Sequence, residues 1–206
     1  MNLFFGIKSD LLSCSLTIPK FQNFGKKNNK INLYEAHVEN NFWKINKTNC
    51  DQDKNFYFIN SEKINNHKIF FLAEHSDILK NSLKIRNGLI NINNFTDTQP
   101  AFRSNLKIYN KFGGHSSYQS EYPFQMTEKK GSILSPINML LNRNADYNHI
   151  FFRNIFYKPI IDKSYLYLID FKKKKILKKF SIQYNYLNEI KIEKEYISEN
   201  VYLFTS

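Results

Sequence analysis

The densest collection of hydrogen-bonding and titratable side chains lies between Lys107 and Met126, in KIYNKFGGHSSYQSEYPFQM. Gly113 and Gly114 permit a positive φ or a close backbone approach to a ligand. His115, Ser116, Ser117, Gln119 and Ser120 bring donors and acceptors. Tyr118 and Tyr122 bring flat faces, and Glu121 a carboxylate. Polar groups on a loop held by a rigid β scaffold commonly form binding sites. This mixture suits a polyhydroxylated ligand such as a carbohydrate, or a small anion, better than an apolar one. The same residues also make a hairpin loop with a bulge, and spacing alone does not choose between the two.

Arginine supplies a second element. Arg103 in AFRSNLKIY and Arg153 in HIFFRNIFY each sit among apolar residues. A guanidinium is rarely buried without a partner. Each therefore lies on a solvent face or grips a carboxylate or phosphate through its fork of donors. The candidate ligand-binding set is Arg103, Gly113, Gly114, His115, Ser117, Tyr118, Glu121 and Arg153. If Glu121 meets one of the arginines, the group becomes a structural ion pair instead.

For catalysis, His115 or His149 would be the acid or base, because imidazole titrates near neutrality. Glu121 or Asp146 would supply the second carboxyl group. The familiar signatures are missing: there is no G-x-x-x-x-G-K-[ST] loop, no G-x-G-x-x-G and no H-E-x-x-H, and GGHSS is not a G-x-S-x-G elbow. His37, His67 and His75 with Glu74 follow no metal-ligand spacing. No cofactor or metal is implied, and catalytic residues stay unassigned. Trp43, the only tryptophan, reads as a core anchor, with a stacking platform as the alternative.

Strands must hold these residues. INLYEAHV (31–38), NFYFIN (55–60) and KIFFLAEH (68–75) are short, aromatic and β-branched, between polar connectors at 25–32 and 46–55. MNLFFGIKSDLLSCSL reads as a first strand and not a signal peptide, since Lys8 and Asp10 interrupt its apolar run. LKIRNGLINI (83–92) predicts a hairpin turning at Asn87-Gly88. AFRSNLKIY (101–109) alternates, with Phe102, Ser104, Leu106 and Ile108 on one side. YPFQMT (122–127) reads as a further short strand. SPINMLLN (135–142) predicts one short helix, with Ser135 as N-cap and Pro136 in the first position.

The last quarter predicts a C-terminal antiparallel meander over 149–157, 164–171, 176–186, 189–197 and 200–204, with one solvated side. Ile176, Lys178, Phe180, Ile182 and Tyr184 share a face there. Ile190 and Ile192 oppose Lys191, Glu193 and Glu195. Lys172 to Lys175 form a solvated hairpin tip. No fixed-period repeat and no linker stands out. The expectation is a single mostly-β domain over residues 1–206, an antiparallel sandwich or partly closed roll with one short helix near 135–142.

The chain has 206 residues, 42% of them apolar and 16% aromatic, enough for a sizeable core. No apolar run reaches the roughly 18–20 residues of a membrane span. A net charge of +12 invites a nucleic-acid or acidic-membrane partner. Only four of the 30 basic residues are arginine, however, and arginine makes the bidentate phosphate contacts. The Lys, Asn, Ile, Phe and Tyr set is also what AT-rich codons encode. Both points weigh against a nucleic-acid partner. Cys14 and Cys50 stand in no C-x-x-C pair and read as reduced thiols. With no signal segment, the expected location is the cytoplasm. The oligomeric state is not legible. The leading functional reading is a binding module for a polar small molecule or glycan. The alternatives are an enzyme acting on a sugar or polar metabolite through His115 and a carboxylate, and an assembly protein with a basic surface.

Overall fold

The computed structural model describes residues 1–20, 30–92, 103–119, 121–128 and 133–205. The chain forms two compact units: Met1–Glu128 with Ile155–Ile160, and Lys129–Asn154 with Ile161–Ser206. Both are built from antiparallel sheets, as expected. Among the described residues, no helix is long and apolar enough to cross a membrane.

The first unit contains, in chain order, β1 (Asn2–Phe4), β2 (Leu12–Pro19), β3 (Ile31–Glu39), β4 (Phe42–Lys47), β5 (Asp51–Gln52), β6 (Phe56–Ile59) and β7 (Ile69–Glu74). Helix α1 (His75–Asn87), β8 (Asn105–Asn110), β9 (His115–Tyr118) and β10 (Glu121–Pro123) follow. They make two five-stranded sheets, ordered β10-β1-β7-β3-β4 and β5-β6-β2-β8-β9. β7 is apolar from Ile69 to Ala73, so both of its faces need cover. On one face, Phe71 and Ala73 join Leu3, Tyr34, Ala36 and Trp43 in a core that Ile85 of α1 completes. On the other, Phe70 and Leu72 are equally buried. The second sheet lies there: the Tyr57 hydroxyl donates to the Ile31 carbonyl at 2.8 Å. Ile155 enters the same core. The Tyr157 carbonyl accepts the Trp43 indole N–H at 2.8 Å and the Leu89 amide at 2.7 Å.

The second unit contains β11 (Ile133–Pro136), α2 (Ile137–Leu140), β12 (Tyr147–Arg153), β13 (Lys163–Asp170), β14 (Lys175–Gln183), β15 (Leu187–Glu193) and β16 (Val201–Thr205). Its sheets run β11-β16-β13-β14 and β12-β15. Leu166, Leu168, Ile182, Ile190, Ile192 and Leu203 alternate inward and pack on Ile137. The expected C-terminal strands are present and antiparallel, but they do not run as a meander, because only β13 and β14 are neighbours both in sequence and in a sheet. β13 and β14 form the lysine-tipped hairpin, while β16 returns to pair with β13 and β15 pairs with β12.

Several local expectations are corrected. Residues 83–87 belong to α1, not to a hairpin. The Gly88 amide bonds the Lys84 and Ile85 carbonyls at 3.0 and 3.2 Å, so Asn87-Gly88 ends a helix. The two-residue turn is at Asn40-Asn41, where both φ are positive, between β3 and β4. The N-terminal stretch makes two strands, β1 and β2, not one. After β10, residues Phe124–Glu128 coil into a 3-10 turn. Ser135 pairs with Leu203 inside β11, and the short helix begins after Pro136 without a side-chain cap. A bulge opposite Leu168 and Ile169 breaks the alternation of β14. Leu177 packs inward and Ile176 is left 55% exposed. Ala101, Phe102 and residues 25–29 lie outside the described residues.

Two outcomes test this packing. A Cβ added at Gly6 would stand 2.6 Å from Ile64 Cγ2 and 2.9 Å from Cys14 Sγ. Gly6→Ala is therefore expected to cost about 1–3 kcal/mol in urea unfolding; an unchanged midpoint would contradict the close approach. Both cysteines are free, and burial pushes the Cys14 thiol up to about 11. A thiol with a raised pKa is protonated, and so unreactive, at pH 8. Cys14 is expected to react with a disulfide reagent only after unfolding, which mass spectrometry of the labelled peptide reads directly.

Candidate functional site

The glycine-rich stretch is the β8–β9 hairpin. Gly113 and Gly114 take φ of 111° and 82°, the left-handed region that favours glycine. Nothing lies within 4 Å of where their Cβ atoms would be, so this tip is open. By register, His115 and Ser117 share a face with Tyr109 and Lys107, and Tyr118 stands opposite Leu106. β9 is the outer strand of its sheet, and all four of its residues are exposed. Ser120 lies outside the described residues. Glu121 sits in β10, in the other sheet, where its carboxylate accepts the Ser104 amide at 2.9 Å. Arg103 precedes that amide and is half-buried. Arg153 is buried on β12 of the second unit, opposite Leu187. The hairpin thus groups Gly113, Gly114, His115, Ser117 and Tyr118, and Glu121 tethers the chain just after Arg103.

The histidines take other partners than those the sequence proposes. His149 Nδ1 lies 2.8 Å from Glu189 Oε1, across the β12–β15 pair. His75 Nδ1 lies 3.1 Å from the Tyr34 hydroxyl. Among the described residues, no three His, Cys, Asp or Glu side chains gather as metal ligands. Trp43 is 3% exposed and is a core anchor.

A different group of residues forms the better-built site. Where β4 ends and β7 begins, the chain leaves a cleft of about 470 Å³, walled by Lys8, Lys47, Lys63 and Lys68. That volume is in the range of small-molecule pockets, about 300–1,000 Å³. Its floor is Ile64, which is fully buried. Glu35, Glu62, Thr48, Asn49 and Asn65 complete the lining. The lysines outnumber the glutamates, so the cleft is positive.

Each wall has a local cause. The Thr48 amide bonds the Leu33 carbonyl at 2.9 Å, which carries the pairing with β3 past the end of β4. Lys63 Nζ donates to the Asn49 carbonyl at 2.6 Å and ties the two loops together. Asn66 clamps Lys8, accepting its amide at 3.1 Å and donating to its carbonyl at 2.7 Å. Lys68 pairs with Glu35 at 2.9 Å. The loops are thereby fixed before any ligand arrives. The Thr48 hydroxyl is buried without a hydrogen-bond partner among the described residues. A buried hydroxyl left unsatisfied is costly, at about 1–3 kcal/mol.

A second cleft, of about 510 Å³, lies beside the Asn40 turn and Arg86. Its charges are already engaged. Glu39 pairs with Lys44 at 2.8 Å, and the Arg86 guanidinium rests 4.3 Å from the centre of the Phe42 ring.

The chain matches no protein-family model, no curated protein and no solved structure, so the functional reading rests on this geometry. The lysine cleft was not legible in the sequence. Its residues follow no motif spacing: the pairing of β3, β4 and β7 brings Glu35, Lys47 and Lys68 together, and loop contacts bring in Lys8 and Lys63.

Thr48→Val removes the unsatisfied hydroxyl and keeps the shape. It is expected to leave stability unchanged or to raise it by up to about 1 kcal/mol in urea unfolding. A loss of more than about 1 kcal/mol would show that the hydroxyl already serves the fold.

Proposed function

We propose that the protein is a binding module for a small hydroxylated anion, such as a phosphorylated sugar, held in the lysine cleft. The observation that carries this reading is the convergence of four lysines on one cleft. Ammonium groups bind phosphate as compact point charges with three donors each. Lys8, Lys47 and Lys63 would hold the anionic group, with Lys68 balanced by Glu35. Asn49, Asn65 and Glu62 offer both donors and acceptors to sugar hydroxyls. This keeps the polar-ligand reading of the sequence and moves its centre from the β8–β9 hairpin to the cleft.

Thermal unfolding in the presence of inorganic phosphate, a neutral hexose, a hexose phosphate and a nucleotide tests the proposal. A ligand at 100 times its Kd adds about 2.7 kcal/mol, or about 5–10 °C for a chain of this size. The hexose phosphate is expected to give such a shift and the neutral hexose none. Lys47→Met combined with Lys63→Met is expected to abolish the shift while leaving the ligand-free Tm within a few degrees. A shift that survives the double substitution would remove the cleft from consideration. An equal response to the neutral hexose would return the site to the hairpin around His115.

A further inference from the structure

The four-stranded sheet β11-β16-β13-β14 has one closed face and one open face. Leu166 and Leu168 of β13 point into the core and are fully buried. Tyr165, Tyr167 and Ile169 alternate to the other side. The register extends that open face across the sheet. Leu134, Phe204, Tyr167 and Lys179 form one row. Pro136, Tyr202, Ile169 and Ile176 form the next, and Tyr165 stands opposite Ser181. Phe171, just past β13, meets Tyr202 edge-on at 4.9 Å. The bulge in β14 is what turns Ile176 onto this face. Tyr165 is 42% exposed and Phe171 50% exposed.

We infer that this face binds single-stranded nucleic acid. Three observations select that partner. First, the rings lie on the two central strands, β13 and β16, of an antiparallel four-stranded sheet. In that position a sheet can stack several unpaired bases side by side. Second, the ring centroids of Tyr165 and Tyr167 are 6.3 Å apart, and those of Tyr167 and Phe204 6.4 Å apart. That is the ordinary spacing of same-face neighbours on a sheet, and the rings are tilted by 48° and 35° to one another. Rings set side by side in this way offer separate faces to unpaired bases, whose π faces a duplex keeps stacked inside. Third, the charge on the face has one sign. Lys179 Nζ lies 3.5 Å from the Tyr165 ring centre and 5.8 Å from that of Tyr167. Lys172 to Lys175 stand at the hairpin tip beside Phe171, and no carboxylate occupies the paired rows. A polyanion with π faces matches both features, because stacking and phosphate contacts are the two terms of single-strand binding. A second copy of the chain fits less well. Pairing the same patch about a two-fold axis would bring together two lysine-bearing faces whose paired rows hold no carboxylate. The scarcity of arginine remains consistent with this partner, since stacking reads no base edge and needs no bidentate fork.

Fluorescence anisotropy with labelled oligo-dT, oligo-U and a duplex of the same length is the test, at low and moderate salt. Both single strands are expected to bind, at least tenfold more tightly than the duplex. Tyr165→Ala is expected to weaken binding about tenfold, the loss of one stacked base, while Tyr165→Phe retains it. Lys179→Ala is expected to lower the slope of log K against log salt by about one. Tyr165 lies outside the core, and circular dichroism of each variant verifies the fold. Equal affinity for the duplex would overturn the inference, as would unchanged binding in Tyr165→Ala. So would binding lost only in the Lys47→Met, Lys63→Met protein, which would assign it to the cleft. Absence of binding, with dimerisation in sedimentation that Tyr165→Ala removes, would give the face to a second copy.

Discussion

The first unit depends on covering both faces of β7. Ile69 to Ala73 expose almost nothing, and a strand of that kind is stable only between two layers. Helix α1 supplies one layer and the β2-centred sheet the other. The lysine cleft follows from the same constraint. It opens where the covered segment begins, at Lys68, and where β3 turns from Leu33 and Tyr34 to the polar Glu35. The apolar interior dictates where the rim is, and the rim is where the cations collect. Ile64 shows the join most directly: one residue is both buried core and floor of a charged cleft.

The excess positive charge is placed in two ways. In the first unit, four lysines converge on a cleft whose backbone is tied down by amide clamps. In both units, other basic residues lie over rings or carboxylates, as Lys20 does over Tyr57 at 4.4 Å and Lys44 beside Glu39 at 2.8 Å. Lys191 stands 3.5 Å from the Tyr147 ring centre, and Lys178 bonds both oxygens of Glu193 at 2.8 and 2.7 Å. That contact holds the Glu193 carboxyl below the usual carboxylate range. Exposed ion pairs and cation–π contacts are each worth only about 0–1 kcal/mol. Such lysines stabilise the fold little. They can exchange their present contacts for an anionic partner at small cost to the structure.

Much of the fold was legible because its patterns are local. The aromatic runs at 31–38 and 68–75, the alternation of Ile190 and Ile192 against Lys191, and the lysine tip at 172–175 all depend on near neighbours. Helix α1 was masked by Asn87-Gly88, which signals a hairpin as strongly as a helix end. The opposing signals were there: Ile78 and Ile85 two helical turns apart, Asp77 in the first turn, and Lys84 and Arg86 in the last. The bulge that exposes Ile176 was beyond reach, because it exists only as a mismatch between two strands. The hairpin at Gly113-Gly114 could be read from its glycines, whereas what surrounds it could not. The cleft lay furthest from view, since Lys8, Lys47, Lys63 and Lys68 meet only after three strands have paired and the loops bearing Lys8 and Lys63 are tied to Asn66 and Asn49.

The path of the chain between the two units has a consequence for biosynthesis. Ile155–Ile160 belong with the first unit, although Lys129–Asn154 before them and Ile161–Ser206 after them belong to the second. Ile155 fills a core already lined by Leu3 and Trp43, and the Tyr157 carbonyl holds both Trp43 and Leu89. A nascent chain that has emerged only as far as Glu128 therefore lacks part of its own interior. It must wait, with that surface uncovered, while the opening strands of the second unit are translated. The units are interleaved along the sequence, and neither can be lifted out of the gene as one uninterrupted stretch of codons.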